Sequence, residues 1–209
     1  MAERKANDNY PTPAPLARLG WQIAQRYVAG RTRLDVCEPG CGDAQPFLWA
    51  ATGSDPRVVG LDGCDVRPVQ AQHALFRVAQ RDWTLPDAEG DPGPWDVIIT
   101  NPPFSITEAF ARRALGRLAP GGVLVLLTRL SFLASAARRG FWAEHPLTEL
   151  AVIRPRPSFT GDGGCDTSEY AFCTWAPAAG QAPTITWVDW VKPKAVRRQR
   201  ARGPEVDLV

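Results

Sequence analysis

A chain of 209 residues suffices for one α/β domain with its core and is too short for two ordinary domains plus linkers. The longest apolar stretch, Val123-Leu124-Val125-Leu126-Leu127, is far too short to span a membrane, and no charged segment followed by an apolar one opens the chain, so secretion is not expected. The net charge of +2 hides an asymmetry: Lys192, Lys194, Arg197, Arg198, Arg200 and Arg202, set against Glu205 and Asp207, give the last eighteen residues +4, and the rest of the chain sums to −2. Such a tail can grip phosphates through counterion release or remain a solvated, disordered end, so charge alone does not identify a partner.

In chain order, residues 1–7 read as flexible. From Pro13 to about Tyr27 the apolar residues Leu16, Leu19, Ile23 and Tyr27 have helical spacing, and Gly30 follows. Strands are predicted at 33–37, 57–62 or slightly longer, 76–79, 95–100 and 122–128, with helices near 44–52, 68–75 and 106–118. A helix over 132–143 precedes strands at 149–154 and 169–175. Residues 177–183 read as a linker, and 184–190 alternate like an edge strand; together 177–191 form a short appendage ahead of the tail at 192–209. The βαβ alternation implies a mainly parallel sheet with helices on both faces and an antiparallel edge formed by the last strands. Cys37, Cys41, Cys64, Cys165 and Cys173 are odd in number and lack zinc-ligand spacing, and His73 and His145 stand alone. Reduced thiols in a cytoplasm and no metal site are the expectation.

Chemistry concentrates at two turns. Asn101-Pro102-Pro103-Phe104 directly follows the apolar run 95–100, and its prolines cannot extend a strand. The chain must turn at the C-terminal end of that strand, where open α/β sheets bind ligands. There Asn101 offers a side-chain carbonyl, the Pro102–Pro103 step can aim a backbone carbonyl beside it, and Phe104 supplies a flat apolar face. Two acceptors beside a ring suit a planar group bearing an NH2. Upstream, Leu34 to Asp43 reads as a strand entering a glycine turn at Gly40 and Gly42, which lets backbone approach a ligand closely. No third glycine completes a dinucleotide fingerprint, and the acidic Glu38 suits a cationic or zwitterionic cofactor better than a phosphate.

Glu38-Pro39-Gly40-Cys41-Gly42 resembles the cofactor motif of S-adenosylmethionine-dependent amino-methyltransferases, and Asn101-Pro102-Pro103-Phe104 resembles their catalytic motif. Asp8-Asn9-Tyr10-Pro11-Thr12-Pro13 is similar to the segment that adenine-N6 DNA methyltransferases place ahead of the cofactor motif. With stretches like Arg129-Leu130-Ser131-Phe132-Leu133 and Arg156-Pro157-Ser158-Phe159-Thr160, the combination is most similar to small phage-type adenine methyltransferases, over about Asp8 to Trp175. The tetrad alone is shared with RNA adenine and protein glutamine methyltransferases.

The resemblance implies a single Rossmann-like class I methyltransferase domain over 8–176, S-adenosylmethionine as cofactor and DNA as partner. It places Asn101, Pro102 and Phe104 at the target amine, and Glu38, Gly40 and Gly42 at the methionine end of the cofactor. Two acids compete for the ribose: Asp62, and Asp65, which better matches the family pattern. Asp82 and Trp83 would meet the adenine, unless Asp82 is a solvated loop acid. Thr12 and Pro13 either close over the cofactor or merely start a helix. Arg129, Arg154, Arg156 and Phe159 are the candidates for nucleic-acid contact, with the loop after 154 overhanging the target pocket or forming only a mobile connection. Since no separate base-reading region follows Trp175, short or relaxed sequence preference is expected. A different class, a SAM-binding module without catalysis, is disfavoured by the intact tetrad.

Overall fold

The computed structural model describes residues 11–87, 91–159, 167–177 and 182–191. The expectations for residues 1–7, for Asp8 to Tyr10 of the first motif, for Thr160 and Cys165, and for the basic tail fall outside the described residues.

Among the described residues one eight-stranded sheet organises the fold. Its strands are β1 (Leu34–Pro39), β2 (Val58–Asp65), β3 (Phe76–Gln80), β4 (Trp95–Thr100), β5 (Leu118–Arg129), β6 (Glu149–Arg154), β7 (Tyr170–Trp175) and β8 (Thr184–Asp189). They lie in the order β3-β2-β1-β4-β5-β7-β6-β8. The first five are parallel; β7 is antiparallel to both neighbours, and β8 pairs parallel to β6. The antiparallel part is therefore one strand inserted between β5 and β6, and the outermost strand is parallel again. Because β5 and β6 both oppose β7, they run the same way, and Arg154 ends on the sheet edge that carries Asn101.

The side chains of buried strands alternate between two cores. Val36, Val97, Ile99, Val123 and Val125 pack toward helices α1 (Ala14–Tyr27) and α2 (Pro46–Ala51). Ile98, Leu124 and Leu126 pack with Phe110 and Ala114 of α3 (Thr107–Leu115) and Phe141 of α4 (Arg139–Glu144) on the other face. Each such aliphatic side chain contributes about 1.5–3 kcal/mol on burial.

Three expected helices differ. Residues 66–75 form none: Pro68 lacks a donor, and Gln45 holds the segment open by donating to the Gln70 carbonyl (2.6 Å) and accepting from the Gln72 amide (2.9 Å). The helix expected over 106–118 stops at Leu115, and Leu118 already pairs with Trp95 in the sheet. The helix expected over 132–143 is two 3-10 turns followed by α4, only six residues long. No helix among the described residues is long and apolar enough to cross a membrane.

Glu149, at the start of β6, ties the antiparallel half to α1. Its carboxylate accepts bonds from Arg26 (2.8 and 3.0 Å), Tyr27 (2.8 Å) and Thr186 (2.7 Å). Burial alone would raise its pKa, but these donors outweigh burial and hold it below the ordinary glutamate value of 4.5. A depressed folded value means that this stabilisation is complete above the unfolded pKa and is lost as pH falls through the folded one. Glu149→Gln should therefore cost about 2 kcal/mol near neutral pH, and the difference from wild type should shrink on acidification through the glutamate range. Urea unfolding across pH tests this; a difference independent of pH would remove the carboxylate charge from the account.

Candidate functional site

The site lies where β1 and β4 end side by side. β1 leads to α2 on one face and β4 to α3 on the other, so the strand ends diverge at the point where ligands bind in such sheets. Thr100 Oγ1 donates to the Pro39 carbonyl at 2.5 Å, clasping the two ends together just before they separate.

Behind β1 the turn needs Gly40 at φ +67° and Gly42 at φ +57°, the left-handed region that glycine favours. A side chain at Gly40 would also meet the Phe110 ring at 3.4 Å. Glu38 is buried and accepts from the amides of Phe47 (3.0 Å) and Leu48 (2.9 Å), capping the first turn of α2 in place of Gln45, whose side chain is engaged elsewhere. Burial pushes its pKa up against these two bonds. With Thr12, Gly40, Gly42 and Asn101 it lines a cavity of about 240 Å³.

A larger cleft, about 590 Å³, opens on the other side of Gly40 and Asn101. Asp65 lines it from the end of β2, accepting from the Gly42 amide (2.9 Å), the Arg67 amide (3.0 Å) and Arg67 Nε (3.1 Å). Asp82 lines it too; the Thr84 hydroxyl (2.7 Å) and amide (2.8 Å) bond its carboxylate and lower its pKa.

Asp62 does not reach the cleft. Three residues before Asp65 on a period-2 strand, it faces the opposite side and lies about 10 Å short of the strand end. It is bound by Arg77 Nε (2.7 Å) and Nη2 (3.0 Å) and by Trp95 Nε1 (2.8 Å), lining a separate cavity. Of the two candidate acids, Asp65 is the one that lines the cleft shared with Asn101. Trp83 is corrected in part. It borders the cleft, but its ring is 3% exposed, packs on Trp95 (5.8 Å) and donates Nε1 to the Phe110 carbonyl (3.4 Å), so it is core first.

Around Asn101 the pieces meet. Asn101 Nδ2 donates to Thr12 Oγ1 at 3.1 Å, while the Pro13 carbonyl accepts the amides of Leu16 and Ala17. Thr12 thus reaches the site, and Pro13 starts the helix. Pro102 is buried, Pro103 lines the larger cleft, and Phe104 opens the 3-10 turn into α3. The half-buried Phe104 ring packs on Tyr170 (5.7 Å), carries the Arg129 guanidinium over its face at 4.4 Å and borders a fourth cavity of about 160 Å³.

The loop residues proposed for nucleic acid fare differently. Phe159 is 7% exposed, packed on Tyr170 at 5.0 Å, and is core rather than a wedge. Arg154 pairs with Asp189 (3.1 Å) three strands, roughly 14 Å, from β4. Arg156 donates to the Thr167 carbonyl (3.2 Å) and lies 3.8 Å from Glu169. Two residues were overlooked in the sequence: Val66 and Ile106, 57% and 42% exposed, line the larger cleft from strand ends on either side of β1. Their signal was present: Val66 directly follows the acid Asp65, and Ile106 lies two residues after the Phe104 ring. Among the described residues no group of three His, Cys, Asp or Glu could hold a metal.

No family model matches the chain. Ribosomal RNA small subunit methyltransferase C of Chromohalobacter salexigens is 33% identical over 135 residues, 60% of this chain and 38% of that protein. The chain thus spans well under half the length of the curated relative it matches. A protein of Listeria monocytogenes, described as a class I S-adenosylmethionine-dependent methyltransferase, superposes with TM-score 0.66 at 12% identity, covering 90% of this chain and 68% of that one. The fold is that of class I S-adenosylmethionine-dependent methyltransferases. A chain from a type I restriction–modification system shares this class I fold with TM-score 0.60 at 18% identity, covering 94% of this chain and 47% of that one.

The two acids should separate cleanly. Asp62→Ala leaves Arg77 and Trp95 without their acceptor and should cost about 1–3 kcal/mol of stability, with S-adenosylhomocysteine affinity within twofold of wild type. Asp65→Ala should weaken that ligand at least tenfold, the loss of one charged hydrogen bond. Calorimetry and denaturant unfolding on both variants check this, and equal affinity losses would reverse the assignment.

Proposed function

We propose that this chain transfers a methyl group from S-adenosylmethionine to the exocyclic N6 amine of adenine in DNA, with short or relaxed sequence preference. The observation that carries the reading is that Asn101 and Gly40 line both the 590 Å³ cleft and the 240 Å³ cavity at once. The two cavities form one groove, polar and acid-lined at Glu38, acid-lined and apolar by turns at Asp65, Asp82, Val66 and Ile106, and joined at the catalytic candidate. That chemistry fits the cofactor: an amino acid end at Glu38, Gly40 and Gly42, ribose hydroxyls at Asp65, and an adenine between Val66 and Ile106 with Asp82 at its edge. The left-handed glycine turn supports the fit, since backbone rather than side chain faces the groove there.

When bound, the cofactor supplies an electrophilic methyl group. The chain's own part is to present a poor nucleophile to it. An aromatic amine is delocalised into its ring; Asn101 Oδ1 and the Pro102 carbonyl accept its two N–H bonds and favour the tetrahedral nitrogen, where positive charge develops. Thr12, by accepting from Asn101 Nδ2, keeps the amide oxygen turned to the other side. Phe104 offers the ring on which the base, flipped from a duplex, stacks. Loss of the proton follows nitrogen attack, so no general base is required beforehand.

Short or relaxed preference is favoured because the loop arginines that could have read base edges, Arg154 and Arg156, are engaged by Asp189 and by Thr167 and Glu169. RNA is the second reading, favoured by the ribosomal RNA methyltransferase to which part of the chain is similar.

Incubation with labelled S-adenosylmethionine and DNA, RNA or protein, followed by nucleoside and amino-acid mass spectrometry, tests the proposal. N6-methyladenine in DNA is expected, at scattered positions on a long duplex and with strong salt sensitivity. Asn101→Ala should lower turnover about 10²–10³-fold while cofactor affinity stays within a few-fold. Label only in RNA or protein, or a strict site of five or more base pairs, would overturn the corresponding part.

A further inference from the structure

The cavity beside Phe104 differs in chemistry from the groove. The 590 and 240 Å³ cavities carry carboxylates in their walls, Asp65 and Asp82 in one, Glu38 and Asp43 in the other. The 160 Å³ cavity has none: its polar lining is Arg129, Arg138 and the hydroxyl residues Ser105, Thr107 and Ser131. Its place follows from the sheet. Thr100, the last residue of β4, pairs with Leu126, and β5 continues three residues further to Arg129. The turns after β5 therefore begin beyond the end of β4, on the side where Phe104 leaves it. Arg138 is fixed there by the Phe132 ring, 4.8 Å from its guanidinium, and by the Phe132 carbonyl, which accepts from Nη1 at 3.3 Å. Glu108 lies 3.7 Å from Arg138 Nε, beyond hydrogen-bond length, and is bonded by Arg112 Nε at 3.0 Å. A guanidinium carries five N–H donors, so the bond to Phe132 leaves Arg138 with donors for an anion. Arg139, the first residue of α4, is exposed and has no ion pair among the described residues.

We infer that the 160 Å³ cavity is a phosphate site of the DNA-binding surface, in which Arg138 and Ser131 hold the backbone phosphate next to the flipped adenine and Arg139 meets the phosphate beyond it. Resting on the proposed function, this moves the backbone contact from the loop after β6 to the turns after β5. Arg154 and Arg156 each face an acid of the chain, and β6 lies three strands from β4, whereas β5 is the neighbour of β4. The forked donors of a guanidinium match phosphate oxygens, and a wall without carboxylates does not repel them. Arg129, held against the Phe104 ring and the Tyr170 hydroxyl, is the wall that the cavity shares with Phe104 and stays where it is. Contacts of this kind set the register of the duplex without reading its sequence. Arg138 and Arg139 are thereby positioning residues, not catalytic ones.

Two titrations test this. Protein saturated with S-adenosylhomocysteine is titrated by NMR with deoxyadenosine and with its 5′- and 3′-monophosphates. One of the monophosphates should bind about tenfold more tightly than the nucleoside, the worth of a charged hydrogen-bonded contact. Arg138→Gln should abolish that gain while nucleoside affinity stays close to wild type. On duplex DNA, Arg138→Gln and Arg139→Gln should each lower the slope of log affinity against log salt by about 0.9, the loss of one phosphate contact. Arg154→Gln should leave the slope at the wild-type value. Unchanged melting temperature and S-adenosylhomocysteine affinity control for folding, and the exposed Arg139 keeps the test open if Arg138→Gln loses stability. The inference is overturned if neither monophosphate gains over the nucleoside, if the gain survives in Arg138→Gln, or if the slope falls with Arg154→Gln and not with Arg139→Gln. If wild-type protein methylates no DNA, the proposed function itself fails and takes the inference with it; DNA methylation by wild type with the salt slope unchanged in both variants defeats the inference alone.

Discussion

Everything at the site depends on how β1 and β4 let go of each other. The strands run side by side through the core, with Val36 opposite Val97 and Cys37 opposite Ile98, and the Thr100–Pro39 bond holds their ends. Past it, each chain meets residues that cannot continue a ladder: Gly40 and Gly42 at positive φ after β1, Pro102 and Pro103 after β4. The chains depart to opposite faces, and the groove is the gap they leave. Asn101 sits in it because it is the first residue after the clasp, and its amide is turned by Thr12, delivered by the segment ahead of α1.

The groove walls are held rigid by groups that satisfy one another. Glu38 caps α2, Asp65 holds the Gly42 turn and Arg67, and Gln45 keeps the segment after β2 from folding into a helix over the cleft. Buried carboxylates are costly unless hydrogen-bonded, and Glu38 and Asp65 are, to backbone amides whose positions set the groove. The same side chains that shape the backbone are those proposed to face the cofactor, so under that proposal structural and binding roles are joined in single residues.

Much of this was legible in the sequence. Two prolines after an apolar strand had to turn at its end, and the acidic glycine turn after the first strand had to lie beside it once the sheet was parallel. The choice between Asp62 and Asp65 was legible in principle, since three residues on a period-2 strand point opposite ways; what was lacking was the strand's true end at Asp65. Other features depended on distant partners. The helix expected after β2 fails because Gln45, twenty-five residues away, takes its backbone. Phe159 looked like an exposed loop ring until Tyr170 of β7 covered it, and Arg154 looked available until the parallel register of β8 set Asp189 opposite it. Arg129 was visible as a basic residue near the site, while its stacking on Phe104 required the β5 and β4 ends to be brought together.

The central claim is that the two cavities meeting at Asn101 are halves of one cofactor groove. A crystal structure of the protein with S-adenosylhomocysteine tests it most directly. The account predicts one continuous ligand running from Glu38 and Gly42, past Asn101, to Asp65 and Asp82, with its sulfur beside the Asn101 amide. A ligand in the separate cavity bounded by Asp35, Asp62 and Trp95, or one confined to a single side of Asn101, would contradict it.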